Sequence, residues 1–370
     1  MQNKLIVLTI TNLAGSGAEK IVLQLFDMFK KYGHNPYIIL LEDSISYDLT
    51  KEQEPRIFSL TRKRKYHKLF SFLGDKILHS KFEKKLELIE KMEGKKIDLI
   101  LSNSPSSDRI VFFSKRDNLF NIIHNSYSKE ISDFKKVGKI RRSINKMKLY
   151  KKIYENKSLI TVSKNIIDDL LELNIKYKSI SYIYNPFNFD EIKIKGNEKI
   201  NDVPTEYLIS ASAFRNAKRH DILLDAYKLL NTDIKLVLLC NKNKELEKMI
   251  KIRGLENKII ITGFKRNPYP YIKNAKCLIL SSEREGLPTV LIESLILDTP
   301  VVSTNCISGP SEILIGNFAK YLAEVNNPED LAKKIGKLLI DKPLIKEENI
   351  IQFKEEIILD NYIKLIDSNK

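Results

Sequence analysis

Short apolar runs alternate along the chain with longer stretches in which apolar residues recur every three to four positions. Residues 5–10 and 37–41 are short apolar runs, and residues 18–31 between them have the helical period. A short apolar run suits a strand that is buried on both faces, whereas the longer period suits a helix that packs along one side. This alternation predicts an α/β protein whose parallel sheets are covered by helices on both faces.

The same two patterns continue to the end of the chain. In the first half they predict strands at residues 97–101, 120–124, 158–162 and 180–184, and helices at 76–92, 140–154 and 164–173. In the second half they predict strands at residues 207–211, 234–239, 259–262, 277–281 and 300–303, and helices at 221–230, 246–253, 289–297, 329–340 and 345–366.

The alternation breaks at Asn185-Pro186-Phe187-Asn188 and at the polar stretch 191–204, which has no clear period. Proline and a polar run without periodicity are typical of a linker. We therefore predict two Rossmann-like domains, at residues 1–186 and 187–345. The last segment, residues 346–370, is predicted to be a helix that returns to the first domain.

One strand–loop–helix unit in the second domain has the form of an anion site. The strand at 277–281 leads into a loop, and Pro288 suits the start of the following helix because its missing N–H has no intrahelical partner there. The free amides of a helix start and the helix dipole both favour an anion. We expect the amides of Thr289 and Val290 to hold a phosphate group.

Two carboxylates, Glu285 and Glu293, flank this helix start. Next to a bound phosphate, a carboxylate is repelled unless it accepts hydrogen bonds, and sugar and ribose hydroxyls supply such donors. The spacing alone favours a surface helix with two solvated glutamates, so the surrounding residues are needed to distinguish the two interpretations.

The surrounding residues resemble a known family. The run Glu-Gly-Leu-Pro-Thr-Val-Leu-Ile-Glu-Ser at 285–294, followed by Thr-Pro-Val-Val-Ser-Thr-Asn-Cys-Ile-Ser-Gly-Pro-Ser-Glu-Ile-Leu at 299–314, resembles the C-terminal domain of family-4 retaining glycosyltransferases. The resemblance implies the GT-B fold, in which two Rossmann-like domains face each other across a cleft. It places Glu285 at the donor sugar, Glu293 at the ribose, and Gly286, Leu287, Thr289 and Val290 around the donor.

The resemblance extends to the first domain at two positions. The turn that contains Gly15 and Gly17 resembles the glycine turn that the family has near the donor phosphate and the acceptor. A tight turn without a ligand is the alternative, since glycine also permits such turns. His124, at the end of the strand 120–124, matches a family histidine near the donor sugar, although a lone histidine is more often structural.

Two basic residues and one aromatic residue complete the candidate site in the second domain. Lys218 matches the family lysine that neutralises the diphosphate. The usual arginine position is occupied by Ala213, and Arg215, two residues later, is the candidate for a forked contact to phosphate. Phe264 follows the strand 259–262, where the family contacts the base with its backbone.

Composition limits the partners and the location. The net charge of +16 suggests an anionic partner, although the chain is rich in lysine throughout. Basic residues cluster at Arg62-Lys63-Arg64-Lys65 and over residues 135–157, where they suit either an anionic membrane surface, a phosphorylated acceptor or plain solvent. No nucleic-acid-binding motif accompanies them. No apolar run is long enough for a transmembrane helix.

The cysteines and histidines do not indicate a metal site. Cys240, Cys277 and Cys306 are scattered, which favours buried thiols in a reducing compartment over disulfides. No cluster has metal-ligand spacing, and no Asp-x-Asp motif appears between strands. We expect no cofactor and no metal requirement.

Together these features predict a cytoplasmic, metal-independent retaining glycosyltransferase, with peripheral attachment to the inner face of the plasma membrane as a further expectation. Its partners would be a nucleotide-diphosphate sugar, with a UDP-sugar favoured, and a glycan or lipid-linked glycan acceptor. The acceptor would be a growing surface glycan such as lipopolysaccharide or capsule. The alternatives are a nucleotide-sugar epimerase or phosphorylase of the same fold, and a basic protein that binds nucleic acid or anionic lipid without catalysis.

Overall fold

The computed structural model describes residues 3–15, 17–62 and 72–368. Lys63 to Lys65 of the first basic cluster lie outside these residues. In chain order the strands are β1 Leu5–Ile10, β2 Asn35–Glu42, β3 Ile57–Thr61, β4 Leu99–Ser102, β5 Leu119–Ile123, β6 Ser158–Thr161, β7 Ser179–Tyr182, β8 Tyr207–Ser210, β9 Lys235–Leu238, β10 Ile259–Ile261, β11 Cys277–Leu280, β12 Val301–Thr304 and β13 Leu322–Ala323.

The helices are α1 Gly17–Lys31, α2 Phe72–Glu93, α3 Pro105–Val111, α4 Tyr127–Lys136, α5 Ile140–Tyr154, α6 Asn165–Glu172, α7 Phe189–Lys195, α8 His220–Leu230, α9 Lys244–Ile252, α10 Tyr269–Lys273, α11 Thr289–Ile296, α12 Pro310–Ile313, α13 Pro328–Asp341 and α14 Glu355–Ser368.

The chain forms two compact units. The first comprises residues 1–186 and 355–370, and the second comprises residues 187–354. The first boundary coincides with the predicted one at residues 186 and 187. The second lies later than the predicted division after residue 345.

The sheet of the first unit has the strand order β3-β2-β1-β4-β5-β6-β7, with parallel pairing throughout. β1 is buried at every residue, as its unbroken apolar run predicts. On one face, Phe82, Leu86 and Ile89 of α2 pack onto the sheet. The strand order reverses between β1 and β4, and open α/β sheets bind ligands beyond the carboxyl ends of strands at such a point.

The sheet of the second unit has the order β10-β9-β8-β11-β12-β13 and is also parallel. Its order reverses between β8 and β11, so the loops that follow these two strands lie at the expected ligand position. β11 and β12 are buried along their whole length. The predicted two Rossmann-like units are confirmed.

The C-terminal helix α14 belongs to the first unit, as predicted. The ring of Tyr362 packs edge-on against Phe29 of α1, with 5.5 Å between the ring centroids. Lys4, the residue before β1, forms an ion pair with Asp367 at 3.1 Å, and Lys31 of α1 forms one with Glu355. The C-terminal segment is therefore part of the first unit's core and surface.

Two predictions about elements are wrong. The helix predicted over 345–366 begins only at Glu355, and residues 347–349 and 351–353 form separate single turns of 3-10 helix. A backbone hydrogen bond of 3.0 Å from Phe187 to Phe353, which is fully buried, holds this segment against the start of the second unit instead. The stretch 191–204 is not wholly irregular, because it contains most of α7, whose first turn is capped by Asn188.

Candidate functional site

The loops that follow β8 and β11 meet through an ion pair at the carboxyl edge of the second sheet. Nζ of Lys218 lies 2.5 Å from Oε1 of Glu285. Both side chains are mostly buried, with 24% and 12% of their surfaces exposed. Two of the predicted catalytic residues are thus in direct contact although they are far apart in the sequence.

Backbone contacts hold the two loops in this register. The amide of Glu283 donates to the carbonyl of Ala217 at 2.8 Å. The hydroxyl of Ser281 donates to the carbonyl of Lys218, also at 2.8 Å. These bonds, to the carbonyl groups before and after the Lys218 Cα, hold its backbone beside the end of β11.

Arg219 joins three loops beside the ion pair. Its backbone has a φ of +47°, which is unusual for a residue with a side chain. Its guanidinium pairs with Asp221 at 2.7 Å and Glu283 at 3.8 Å, and also contacts Asn326 in the loop before α13. We expect these three contacts to offset the cost of the left-handed conformation.

The turn Gly286–Pro288 packs tightly against the loop that precedes α12. The hydroxyl of Ser308 donates to the carbonyl of Glu285 at 2.5 Å. Gly309 has a φ of +94°, and a Cβ at this position would come within 2.3 Å of Cδ of Pro288 and 2.8 Å of the carbonyl oxygen of Gly286. Glycine is therefore required at 309, both for the backbone conformation and for the close approach.

The start of α11 has the predicted form. Pro288 is the N-cap residue, and the helix begins at Thr289. In the described ranges, the amides of Thr289 and Val290 have no hydrogen-bond acceptor, and both residues are partly exposed. Two free amides at a helix start favour an anion.

Glu293 is only 4% exposed. This rules out the alternative in which both glutamates are solvated on a surface helix. A buried carboxylate needs hydrogen-bond donors around it, because its desolvation otherwise disfavours the charged form.

Cys306 lies close to the same ion pair but does not suit a nucleophile. It is 2% exposed, and burial raises the pKa of its thiol to about 12, with the charge of Glu285 adding to the shift. A thiol with such a pKa stays protonated at neutral pH, and the thiolate is the reactive form.

Arg215 and Phe264 lie at the same edge of the sheet with exposed side chains. Arg215 precedes a short 3-10 turn, and its side chain has no ion pair within the described part of the chain. Phe264 is 71% exposed, and its amide donates to Oδ1 of Asn241 at 3.1 Å. The structure does not bring either side chain to the Lys218–Glu285 pair.

The glycine turn of the first unit follows β1. Gly15 has a φ of +113°, and its amide donates to Oε2 of Glu19 at 2.6 Å. Gly17 is the first residue of α1. The turn is thus locked to its own helix by a carboxylate that is 8% exposed. The Gly15 amide is therefore already engaged within the first unit.

His124 follows β5 and contacts Asn103, which follows β4. Nε2 of His124 lies 3.2 Å from Oδ1 of Asn103. Burial lowers the pKa of His124 to about 4, so its ring is neutral at physiological pH. A neutral imidazole has one N–H donor and one acceptor nitrogen. Asn103 was not among the predicted residues, although a polar residue directly after a buried strand is a signal that could have found it.

Within the described residues, no group of three or more His, Cys, Asp or Glu side chains is arranged to hold a metal ion. In the same ranges, none of the helices is long and apolar enough to cross a bilayer. Around the Glu285 loop, the groups that could stabilise a leaving phosphate are the ammonium group of Lys218 and the backbone amides at the start of α11.

Comparison with known proteins gives consistent matches. Residues 191–356 match the family described as glycosyl transferases group 1. An N-acetylgalactosamine-N,N'-diacetylbacillosaminyl-diphospho-undecaprenol 4-alpha-N-acetylgalactosaminyltransferase of Campylobacter jejuni is 28% identical over 343 residues, which span 91% of this chain and 90% of the relative. The capsular polysaccharide biosynthesis glycosyltransferase CapH of Staphylococcus aureus is 28% identical and covers 76% of this chain and 78% of its own length.

The fold is shared with solved structures. HepE of Anabaena, crystallised in complex with UDP and glucose, superimposes with a TM-score of 0.76 over 99% of this chain and 100% of its own, at 17% identity. With the family match in the second unit and two Rossmann-like units in the chain, the noncatalytic alternative has no support. Over residues 191–356 the chain is similar to the glycosyl transferases group 1, and it is a glycosyltransferase with the GT-B fold.

Proposed function

We propose that the chain transfers a hexose or N-acetylhexosamine from a nucleotide-diphosphate sugar to a growing surface glycan, with retention of anomeric configuration. The observation that carries the proposal is the Lys218–Glu285 ion pair beside the free amides of α11. A cation and a helix start at one sheet edge suit a diphosphate, and a carboxylate next to them suits sugar hydroxyls.

The leaving diphosphate would be stabilised by the protein's own charges. When the donor binds, Lys218 exchanges its contact with Glu285 for a contact with phosphate, and the amides of Thr289 and Val290 donate to the same group. Fixed donors aimed at a developing negative charge lower the barrier without reorganisation during the reaction. We therefore propose transfer that does not depend on a metal. Activity that is lost on chelation and restored only by manganese would contradict this.

Glu285 would bind and orient the sugar without becoming its covalent carrier. A double-displacement mechanism needs a nucleophile beside the anomeric carbon. The Glu285 carboxylate is engaged by the ammonium group of Lys218, and the thiol of the buried Cys306 is protonated. Neither Glu285 nor Cys306 is therefore a ready nucleophile. We propose attack from the same face as departure, with the leaving phosphate helping to deprotonate the acceptor. A glycosyl adduct trapped on Glu285 would refute this step.

A surface of the first unit suits an anionic membrane. We define the α4–α5 surface by three exposed apolar residues, Val137, Ile140 and Ile144, which are 63%, 60% and 46% exposed. Exposed basic residues lie next to them in the sequence, namely Lys135, Lys136, Lys139, Arg141, Arg142 and Lys148. Apolar side chains ringed by cations bind anionic lipid interfaces by combining burial with charge attraction. The relative from Campylobacter jejuni, named for a diphospho-undecaprenol substrate, supports a lipid-linked acceptor.

The membrane proposal is tested by sedimentation with lipid vesicles. The protein should bind vesicles that contain anionic phospholipid and not vesicles of neutral lipid, and Ile140→Asp should weaken binding severalfold. Ile252→Asp, at the end of α9 in the second unit, is the matched control because Ile252 is also exposed, at 71%, and this variant should bind like the wild type. Equal binding by both variants would overturn the role of the α4–α5 surface and leave the donor site unaffected.

The donor proposal is tested with a thermal-shift panel of nucleoside diphosphates and their sugars. A ligand that binds the native state raises the melting temperature by mass action. At least one UDP- or GDP-sugar should stabilise the wild type, and Glu293→Gln should reduce the shift. The transferase assignment then predicts transfer of labelled sugar to an acceptor, which an epimerase or phosphorylase would not give. A panel in which no member raises the melting temperature would contradict the donor site.

A further inference from the structure

The side chain of Asn103, in the first unit, makes three hydrogen-bond contacts, with Thr9, Leu101 and His124. Asn103 directly follows β4 and is 1% exposed. Its backbone N–H also donates to the carbonyl of Thr9 at 2.8 Å. The register of the sheet pairs Ser102 with Asn121, which brings the ends of β4 and β5 side by side. Asn103 is thereby placed next to His124 at the carboxyl edge of the sheet.

The orientation of the Asn103 carboxamide follows from its other neighbours. Nδ2 lies 3.0 Å from the carbonyl oxygen of Leu101 and 3.5 Å from that of Thr9. A carbonyl oxygen only accepts hydrogen bonds, so the group that faces these two oxygens must be the NH₂ donor. The reversed orientation would set Oδ1 against two carbonyl oxygens in a buried position. Oδ1 therefore faces His124.

This orientation fixes which ring nitrogen of His124 carries hydrogen. Oδ1 of Asn103 is an acceptor, so the His124 nitrogen 3.2 Å away, Nε2, must donate. In a neutral imidazole the other nitrogen, Nδ1, is then the acceptor. Within the described part of the chain, Nδ1 has no hydrogen-bond partner, and His124 is partly exposed.

We propose that Asn103 is a positioning residue that holds His124 as the Nε2–H tautomer, so that Nδ1 accepts a hydrogen bond from a hydroxyl of a sugar substrate. The proposal rests on the transferase function above. In this tautomer, Nδ1 of His124 can accept a hydrogen bond from a hydroxyl group but cannot donate one to a phosphate oxygen.

Two further observations support a fixed neutral ring. Burial lowers the pKa of His124 to about 4, so protonation does not erase the tautomer at neutral pH. The loop around Asn103 is itself anchored, since the hydroxyls of Thr11 and Ser104 lie 2.9 Å apart and Ser104 caps α3. The acceptor oxygen of Asn103 is therefore held in place from both sides.

The first test is made on the wild-type protein. Long-range proton–nitrogen NMR of the full chain labelled with ¹⁵N-histidine reports which ring nitrogen of each of the five histidines is protonated. The His124 signals are assigned by their loss in His124→Gln. We expect a neutral ring with hydrogen on Nε2 at neutral pH. Hydrogen on Nδ1, or an even mixture of the two forms, would overturn the proposal whether or not the enzyme transfers sugar.

The second test removes the positioning residue. Asn103→Leu keeps the shape but neither donates nor accepts, and Asn103→Ser keeps a small polar group that is too short to reach the ring. In whichever variant folds, the His124 ring should become a mixture of tautomers, and kcat/KM should fall roughly five- to tenfold, the effect of one hydrogen bond. The rise in melting temperature caused by nucleoside diphosphate should stay as in the wild type, because the residues proposed to bind it lie in the second unit.

A matched control separates positioning from packing. Asn118→Leu removes another asparagine of the same unit that donates to a backbone carbonyl, that of Ile97 at 2.6 Å, without contacting a histidine. It should leave the His124 tautomer unchanged. An unaltered tautomer in both Asn103 variants would refute the proposal. A correct tautomer together with undiminished transfer by His124→Gln would instead remove His124 from the proposed site.

Discussion

Lys218 and Glu285 neutralise each other in the structure, and a bound diphosphate would compete with the carboxylate for the ammonium group. Both side chains are partly shielded from water, which strengthens their interaction relative to a fully exposed pair. The pair holds the ammonium group of Lys218 at the Glu285 carboxylate. In the proposed function, binding would exchange one anion for another at a lysine side chain that is already ordered.

Replacing this lysine should therefore affect the reaction more than the fold. Lys218→Met is expected to lower kcat/KM by about 100-fold, because it removes a fixed charge that stabilises the leaving group. Steady-state release of nucleoside diphosphate measures the effect. Lys320→Met, which breaks another lysine–carboxylate pair of the second unit, with Asp341 at 2.7 Å, should change kcat/KM by less than about twofold. Similar losses in both variants would mean that Lys218 acts only through stability.

His220, directly after this loop, gives a prediction about pH. It is 3% exposed, and burial, helped by the charge of Lys218, lowers its pKa to about 4. The unfolded chain then binds more protons than the native protein between pH 6.5 and pH 4, the usual and lowered pKa values, so stability falls as the pH falls through this range. At pH 5 this group alone should cost about 2 kcal/mol relative to pH 8.

His220→Phe tests the sign. The phenyl ring keeps the packing against Phe214, at 5.3 Å between centroids, and removes a buried Nδ1 that has no hydrogen-bond partner. Urea unfolding at pH 8 and pH 5 should show a smaller loss of stability in the variant than in the wild type. Parallel losses would show that His220 does not titrate as its burial implies.

At the scale of elements, the loop before α12 sets the shape of the donor turn. Gly309→Ala places a methyl group against Pro288 and the Gly286 carbonyl oxygen, at a φ that disfavours any side chain. We expect a loss of several kcal/mol in stability and a weaker thermal shift by nucleotide sugar.

Gly316→Ala is the control for Gly309→Ala. Gly316 also has a positive φ, of +55°, but nothing lies within 4 Å of the added Cβ. It should cost only about 1 kcal/mol and leave nucleotide binding intact. Equal effects of the two variants would mean that backbone strain, not contact with the Gly286–Pro288 turn, explains the loss.

Elements were predictable from sequence where one physical effect dominated. β1 and β11 are buried along their whole length, and a short unbroken apolar run is typical of a strand that is covered on both faces. α4 was not predicted as a separate helix, because only Tyr127 and Ile131 of its residues are buried and the periodicity is correspondingly weak. Residues 345–354 look helical locally, but the tertiary contact between Phe187 and Phe353 decides their structure.

The candidate site was predictable only in part for the same reason. The α11 segment is continuous in sequence, so its pattern could be compared directly with a family. The contact of Lys218 with Glu285 and that of Asn103 with His124 join loops that are distant in sequence and adjacent only through sheet order. Arg219 has no helical or strand pattern to mark it, and its role depends on a left-handed backbone conformation that only the structure reveals.

At the scale of the whole molecule, the chain leaves the first unit at residue 186 and returns to it at residue 355. The first unit therefore depends on its last helix, in which Ile358, Leu359, Tyr362 and Ile366 are buried. The second unit is formed by one continuous segment. A substitution that destabilises α14 should accordingly destabilise the sheet of the first unit, whose strands are far from α14 in the sequence.

Tyr362→Ala tests this dependence. Removing a 2%-exposed aromatic side chain typically costs about 3–5 kcal/mol. Hydrogen exchange should become faster in β1 and α1, while the protection of β8 and β11 in the second unit stays unchanged. Tyr182→Ala, at a position that is 42% exposed, should have little effect in either unit. Uniformly faster exchange in both sheets would contradict the division into two units.

The central claim is retaining transfer from a nucleotide-diphosphate sugar at the Lys218–Glu285 edge of the second unit. The most direct measurement is proton NMR of the wild-type enzyme with UDP- and GDP-sugars, lipid-linked glycan acceptors and excess EDTA. We predict consumption of one donor, release of its nucleoside diphosphate, and a glycosidic product with the anomeric configuration of the donor. A product of opposite configuration, or no consumption of any donor, would contradict the account.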